Sequence, residues 1–583
     1  MSFPFPQSPN QSSKVPYNDF RQAFMGSRFF GGAPPNSGEE GNENTRLRLQ
    51  SNPDRWFWIF WIGIQLGLGW LDYINMPPFG MHQGAQADRA CVAWNFWHES
   101  MNFFLPRVME NRAAEGVAGM EFPIIPYLAA LAYSVFGFHD IFYRLIVGLI
   151  VGFGMWAAWR ILSMHIRSTL SKLALLAIFY LSPTLVFYTW NFLADPVALS
   201  LGMIALYHWI KWHYHIDTKR AWWFYLLFIS LCGLIKVSFL IVHVAIILLL
   251  LTQKLKKPLR VKQNNDNSYE IIDESSTLAL PKYPWYTLLL PIIPIVCWYA
   301  YAKKITETTG NTHFLQQINP SNSLTECIEI SRYSFNTWID SLYPTLPILG
   351  IIMLWVYSMI RFRKSLTLLE ELSIWLLLGF GAVFILFQLQ FRYHDYYFLS
   401  AWPFVFFAIL ALQQRYLNGK IFLKGWPALL SLMGLCILPF VHFGQAKTML
   451  TYRFTANEYY CQNVDGVEVD DLTRIGTWLK KVNVKDREVF VAFDPSPNTV
   501  LYLLETKGVR LASGYGPRLA LEIYNAKCKN FSEKNRRLGY VITNDTSRWF
   551  SEYADTSVPT PNHQALFNQG KWFVYSIGTS LKK

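Results

Sequence analysis

The sequence predicts an α-helical polytopic membrane protein with a small extracytoplasmic α/β domain at its C-terminal end. Three observations carry that expectation. Of 583 residues 52% are hydrophobic and only 16% charged, whereas soluble domains carry about 25% charged residues. Apolar runs of about 18 residues or more, the length a membrane-crossing helix needs, recur through the first three quarters of the chain. Beyond residue 445 these runs stop, and short strand-like segments take their place.

Residues 1–55 are rich in Pro, Asn, Ser and Gly and contain no apolar core. Such a segment cannot bury enough surface to fold, so it reads as a disordered cytoplasmic tail. Residues 56–445 then hold about eleven expected spans, near 57–74, 142–162, 173–190, 195–213, 222–235, 236–252, 284–302, 343–361, 370–390, 396–413 and 425–443. Basic clusters set their orientation. Arg160, Arg167 and Lys172 share one connection, and Lys219 and Arg220 another. Lys254 to Lys262, Arg361 to Lys364 and Arg415 to Lys424 complete the series. All five fall on one side if the N-terminus is cytoplasmic and the C-terminus lies outside, as the positive-inside rule requires. The net charge of +13 is thereby explained by membrane topology, which argues against a nucleic-acid partner.

Two stretches need separate treatment. Residues 222–252 are flanked by basic clusters at both ends, so they read as two short spans with Lys236 at the outer turn. Residues 124–140 are apolar but short, and a span there would reverse every later cluster. They are expected to form an interfacial or re-entrant helix.

The polar stretch from His82 to Tyr127 dominates the first outer loop, residues 75–141. It carries Asp88, Arg89, His98, Glu99, Arg107, Glu110, Arg112, Glu115 and Glu121 among aromatic residues. A charged loop directly after the first span is where chemistry is expected. Residues 446–583 form the outer α/β domain. Strands are predicted at Glu488–Asp494, Val509–Ala512, Tyr540–Thr543 and Trp572–Ile577, with a helix at Val500–Glu505. The seven cysteines show no zinc-type spacing; Cys461 and Cys528 could pair in an oxidising compartment.

Asp88 can act as general base on an acceptor hydroxyl or bind a metal, or it can serve only as a helix cap or partner of Arg89. Glu121, in MEFPIIPY, is a carboxylate held against a membrane interface, which is costly unless it meets a cation. Asp195 precedes Pro196 in the pattern of a helix start, and it would face the same compartment as Asp88. Lys236 interrupts an apolar run, either snorkelling to the surface or binding phosphate. Arg392 and His394 lie in QFRYHDYYF at the outer end of two spans, and arginine suits bidentate phosphate recognition.

The order of these features resembles the GT-C glycosyltransferases, and more narrowly the protein O-mannosyltransferase and aminoarabinose transferase family. Arg89–Pro106 is similar to that family's R-Y-A…G-D-W…P stretch, and Glu121–Leu128 (EFPIIPYL) occupies the place of K-P-P-L-x-Y-W. Phe136-Gly137…Arg144 matches F-G…R, Asn191–Pro196 (NFLADP) resembles the short second outer loop, and Arg392-Tyr393…Pro403 a late R-Y…P. The resemblance covers about residues 55–445. Two positions depart from it: the usual acidic pair reads Gln86-Ala87, and the loop-end lysine is Glu121.

The resemblance implies transfer of a sugar from a polyprenyl-phosphate donor to an envelope acceptor on the extracytoplasmic face, with inversion at the sugar carbon. It implies Asp88 as base, Lys236 and Arg392 on the lipid phosphate with Arg89 and His394 nearby, and Asp195 and Glu121 as further catalytic carboxylates. The partners expected are the lipid-linked donor, membrane lipid and the envelope acceptor. A divalent metal is compatible with the carboxylates but not required by them. The expected location is a bacterial inner membrane. A transporter or flippase of lipid-linked sugars would share the apolar grooves, but would place its ionisable residues within the spans. A non-catalytic envelope scaffold would account for the Gln86-Ala87 departure.

Overall fold

The computed structural model describes residues 54–576, apart from 112–113, 167, 255–257, 260, 264–268, 272–276, 279–284, 313, 315–317, 319, 344, 418–425, 456–468, 483–486, 493–497, 511–536, 548 and 550–563. The expected N-terminal tail, Cys461 and Cys528 lie outside the described residues.

Helix α1 (Arg55–Leu68) buries Phe57, Trp61, Ile64 and Leu68 at helical spacing, while Trp56, Ile59, Ile62 and Leu66 stay exposed. A helix apolar on its inner and outer faces is one that meets protein on one side and lipid on the other. It stops at Gly69, whose φ of 83° is left-handed and whose N–H closes on Leu66 O. Then come α2 (Gln83–His98), α3 (Ile124–Phe136) and the long α4 (Asp140–His165). The short α3 leaves Leu128, Leu131, Val135 and Phe136 outward.

Helices α5 (Thr169–Tyr180) and α6 (Pro183–Thr189) meet at a bend of 84°. Pro183 cannot continue α5, and the Ser182 hydroxyl accepts from Leu185 N to start α6 afresh. The central helix α7 (Asp195–His213) is buried almost throughout and packs on α4 and on α8 (Thr218–Ile235). Gly154 of α4 makes the first contact close: a Cβ there would overlap Ser200.

Helix α8 ends at Lys236, whose backbone is extended (φ −154°, ψ 110°); a 3₁₀ turn (Val237–Leu240) and α9 (Ile241–Lys254) follow. The expected break at Lys236 is therefore present. Next are α10 (Ile292–Thr309), α11 (Leu324–Leu342), α12 (Thr345–Arg361), α13 (Leu368–Leu386) and the short α14 (Gln388–Tyr393). A 3₁₀ segment (Asp395–Ala401) leads into α15 (Trp402–Leu412), and α16 (Trp426–Thr455) follows.

The chain is a multi-pass membrane protein. Among the described residues four helical segments are long and apolar enough to cross a membrane: Asp140–His165, Tyr286–Thr309, Leu368–Leu386 and Asp395–Tyr416. The bent pair Thr169–Tyr180 and Pro183–Thr189 would make five. On length and composition alone the count of about eleven is not reached, because several expected spans fall on shorter or broken helices such as Ile348–Arg361 and Val237–Gln253.

Beyond the last of these helices lie α17 (Val469–Lys481), α18 (Thr499–Leu503) and a five-stranded sheet. Its strands are β1 (Arg487–Ala492), β2 (Gly508–Arg510), β3 (Arg537–Thr543), β4 (Phe567–Gln569) and β5 (Trp572–Ser576), in the order β2-β1-β3-β5-β4. β1 runs parallel to β2 and β3, and the hairpin β4–β5 closes antiparallel on β3. The apolar strand residues Val489, Val491, Val541, Ile542 and Val574 form its buried interior.

Candidate functional site

Four of the charged residues singled out in the sequence meet where the polar segment after α1, the start of α7 and the end of α8 converge. Arg89, on α2, donates through Nε to Glu121 Oε1 at 2.7 Å, and through Nη1 to Ala85 O of its own helix at 2.9 Å. Both side chains of the pair are only 10% exposed. Burial is the largest influence and works against the Arg89 charge, but Glu121 together with Tyr396, Asp195 and Tyr143 holds the guanidinium above its ordinary range. Glu121 is placed by its neighbours: Met120 O accepts from Trp298 Nε1, and Phe122 N–H donates to Leu234 O.

Asp195 and Lys236 form the second pair, Nζ to Oδ2 at 3.4 Å, with the carboxylate fully buried. The cap reading of Asp195 is corrected. It occupies the first position of α7, not the position before it, and makes no capping hydrogen bond. Apart from the Lys236 ammonium, neither carboxylate oxygen has a polar partner among the described residues. The Lys236 ammonium also lies 4.6 Å from the Tyr397 ring centre and 5.6 Å from that of Tyr396.

The two pairs sense each other's charge. A small depression lined by Arg89, Glu121, Phe122, Tyr143, Leu193, Ala194 and Ile235 opens beside the Arg89–Glu121 pair. Leu193 and Ala194 lead directly into Asp195, and Ile235 into Lys236. Arg89 and Glu121 border this depression, and Asp195 and Lys236 follow directly on its lining residues Ala194 and Ile235; such a set can bind an anionic group and still offer a carboxylate to a neighbouring hydroxyl.

Asp88 is not brought into this cluster. Consecutive helix residues do not share a face, and Asp88 turns to the C-terminal domain, accepting from Asn498 Nδ2 at 2.7 Å. Arg392 lies over Tyr333 and Tyr393 at 5.1 and 5.5 Å. His394 stacks on Tyr396 with centroids 5.1 Å apart and stands within the field of Lys236. In the place of the resemblance's acidic pair, Gln86 Nε2 clamps Phe79 O and Met81 O, and Ala87 is packed without exposure. Arg144 of the F-G…R match is a fastener: it donates to Met76 O, Pro77 O, Trp190 O and Asn191 Oδ1, tying the segment after α1 to the one between α6 and α7.

Sequence reasoning missed a buried hub below the cluster. Asp395 accepts from Arg453 Nη2 at 2.6 Å, Tyr188 OH at 2.7 Å and Thr184 Oγ1 at 3.2 Å, and lies 3.2 Å from His82 Nε2. Asp395 and Arg453 have no exposed side-chain surface. The only signal in the sequence is that one ionisable residue opens an apolar helical segment and another closes α16, each costly in such surroundings unless paired. No spacing links the two. Among the described residues no group of three or more His, Cys, Asp or Glu is placed to hold a metal ion. Glu121 and Asp195 already face cations, so this donor set does not fit a metal site as it stands.

No family model matches the chain, and no curated protein does. Solved structures are similar over most of its length, two of them of ArnT. One is ArnT from Cupriavidus metallidurans in the apo state, 12% identical, covering 90% of this chain and 98% of that one with a TM-score of 0.54. The other is ArnT from Cupriavidus metallidurans bound to undecaprenyl phosphate, 12% identical, covering 90% and 99% with a TM-score of 0.55. The chain thus has the fold of ArnT, in agreement with the GT-C fold expected from the order of its motifs.

Proposed function

We propose that this protein is a glycosyltransferase that moves a sugar from a polyprenyl-phosphate donor to an envelope acceptor on the extracytoplasmic face. The observation that carries the reading is the buried Asp195 carboxylate, 3.4 Å from the Lys236 ammonium and beside a depression bordered by Arg89 and Glu121. Support also comes from the shared fold, since ArnT has been solved with undecaprenyl phosphate bound.

In this reading Lys236 and Arg89 take the charge that develops on the lipid phosphate as the sugar–oxygen bond breaks. Asp195 accepts the proton of the attacking acceptor hydroxyl. Glu121 fixes Arg89 and borders the acceptor side. The hydroxyl oxygen forms the new bond to the anomeric carbon as the phosphate leaves from the opposite face, which inverts that carbon. Arg392, with its ring neighbours Tyr333 and Tyr393, belongs to the wall rather than to the phosphate contact. His394 lines the approach between Lys236 and the tyrosines.

The test is transfer by purified protein from a panel of polyprenyl-phosphate sugars, comparing wild type with Asp195→Asn and Asp88→Asn. Collapse in Asp195→Asn with turnover kept in Asp88→Asn supports the assignment. The opposite pattern moves the base to Asp88. Stabilisation by the lipid without turnover of any donor would favour a transporter or scaffold.

A further inference from the structure

We infer that the C-terminal domain is a working part of the transfer site, and that Asn498 is the positioning residue through which it acts. Asn498 is fully buried, and both ends of its side-chain amide are engaged by the first outer loop. Nδ2 donates to Asp88 Oδ1 at 2.7 Å, and Oδ1 accepts from Glu110 N–H at 2.9 Å. A carboxylate offers only acceptors and a backbone N–H only a donor, so a side-chain amide satisfies both at once.

The junction around it is built, not grazing. Loop residue Glu110 bridges to Gly508 in parallel: Asn111 N–H donates to Gly508 O at 2.7 Å, and Gly508 N–H to Met109 O at 3.3 Å. The loop thereby pairs with the edge of β2 through one isolated parallel bridge. Lys507 Nζ reaches Glu99 Oε2 at 2.5 Å and Glu115 O at 3.0 Å, while Tyr502 OH donates to Asp140 Oδ1 at 2.5 Å. Side chains of both units supply these contacts.

Asp88 and Arg89 are consecutive on α2, one held by Asn498 and the other by Glu121. A helix is rigid over one turn, so a shift at Asp88 is a shift at Arg89. The C-terminal domain, through Asn498 at the start of α18, therefore sets where the Arg89 guanidinium stands relative to Lys236 and Asp195. The catalytic consequence rests on the function proposed above; the docking does not.

The experiment uses the full-length protein with Asn498→Asp, Asp88→Asn and the double swap Asp88→Asn/Asn498→Asp. Asn498→Asp sets two carboxylates against each other, whereas the swap restores an amide donating to a carboxylate. The expected result is a fall in kcat/KM of about tenfold or more for Asn498→Asp, and recovery to within about threefold of wild type in the swap, since removing a buried charged hydrogen bond and restoring it changes the energy by at least that ratio. A purely local folding role would not produce recovery of turnover with the charge moved to the other residue. A swap no better than Asn498→Asp, or an Asn498→Asp variant equal to wild type, overturns the inference. Limited trypsin digestion separates it from the function reading. If no donor is turned over, faster release of the C-terminal domain in Asn498→Asp and renewed protection in the swap still uphold the coupling. Identical digestion of all four proteins overturns it.

Discussion

The Lys236 ammonium stands 3.4 Å from the Asp195 carboxylate, at the point where α8 gives way to an extended residue. The helix break frees Lys236 from the regular face of α8 and turns it toward the start of α7. An ion pair this buried is costly to form from hydrated groups, which is why the proposed function gives both members a task.

Asp195→Asn is expected to lower kcat by about 10²- to 10⁴-fold, the range of a lost general base, with the donor KM nearly unchanged. Lys236→Met is expected to raise the donor KM and lower kcat together, and Lys236→Arg to recover part of the loss. Steady-state transfer kinetics with a saturating acceptor separate the two effects.

Glu121→Ala leaves the Arg89 guanidinium, now 2.7 Å from its partner, buried without its hydrogen-bonded carboxylate. Breaking a buried pair from one side costs about 3–5 kcal/mol. The melting temperature in detergent is expected to fall clearly, and less in Glu121→Gln, whose amide oxygen can still accept from Arg89. Equal melting of all three proteins would contradict a structural part for this pair.

Asp395→Ala removes the acceptor shared by Arg453, Tyr188 and Thr184. Arg453 would remain buried and uncompensated, so destabilisation of about 3–5 kcal/mol is expected. Asp395→Asn should cost less. Thermal aggregation followed by size-exclusion chromatography would rank the variants, and an unaltered Asp395→Ala profile would refute the hub.

Gly508→Val is expected to push β2 away from β1 and so loosen the pairing of Gly508 with the loop at Met109–Asn111. A Cβ at Gly508 would overlap Val489 O, and the backbone of the same residue bonds both Met109 and Asn111. Protease cleavage between the two units should quicken, with helical content by circular dichroism unchanged.

Much of the architecture is legible in the chain. The alternation of apolar runs and basic clusters identifies a multi-pass protein, the β-rich segments mark four of the five C-terminal strands, and the lone lysine in an apolar run marks the break at Lys236. Glu121 is legible as a carboxylate needing a cation, though not which cation. Asp195 reads as a cap because Asp-Pro at a helix start has the same local pattern whether the carboxylate caps its own helix or faces another one.

What the sequence determined by itself is what depends on near neighbours: apolar length, helix breaks and strand propensity. Which charged groups meet was decided only by the tertiary structure. Asp88 and Arg89 are adjacent in sequence yet serve different partners, because a helix turns its side chains about 100° per residue. Asn498 reaches Asp88 across 410 positions, and Asp395 reaches His82 across 313. Hydrophobic periodicity is written in a window of a few turns, but a buried ion pair exists only once the helices have packed and removed the water that would otherwise solvate each charge.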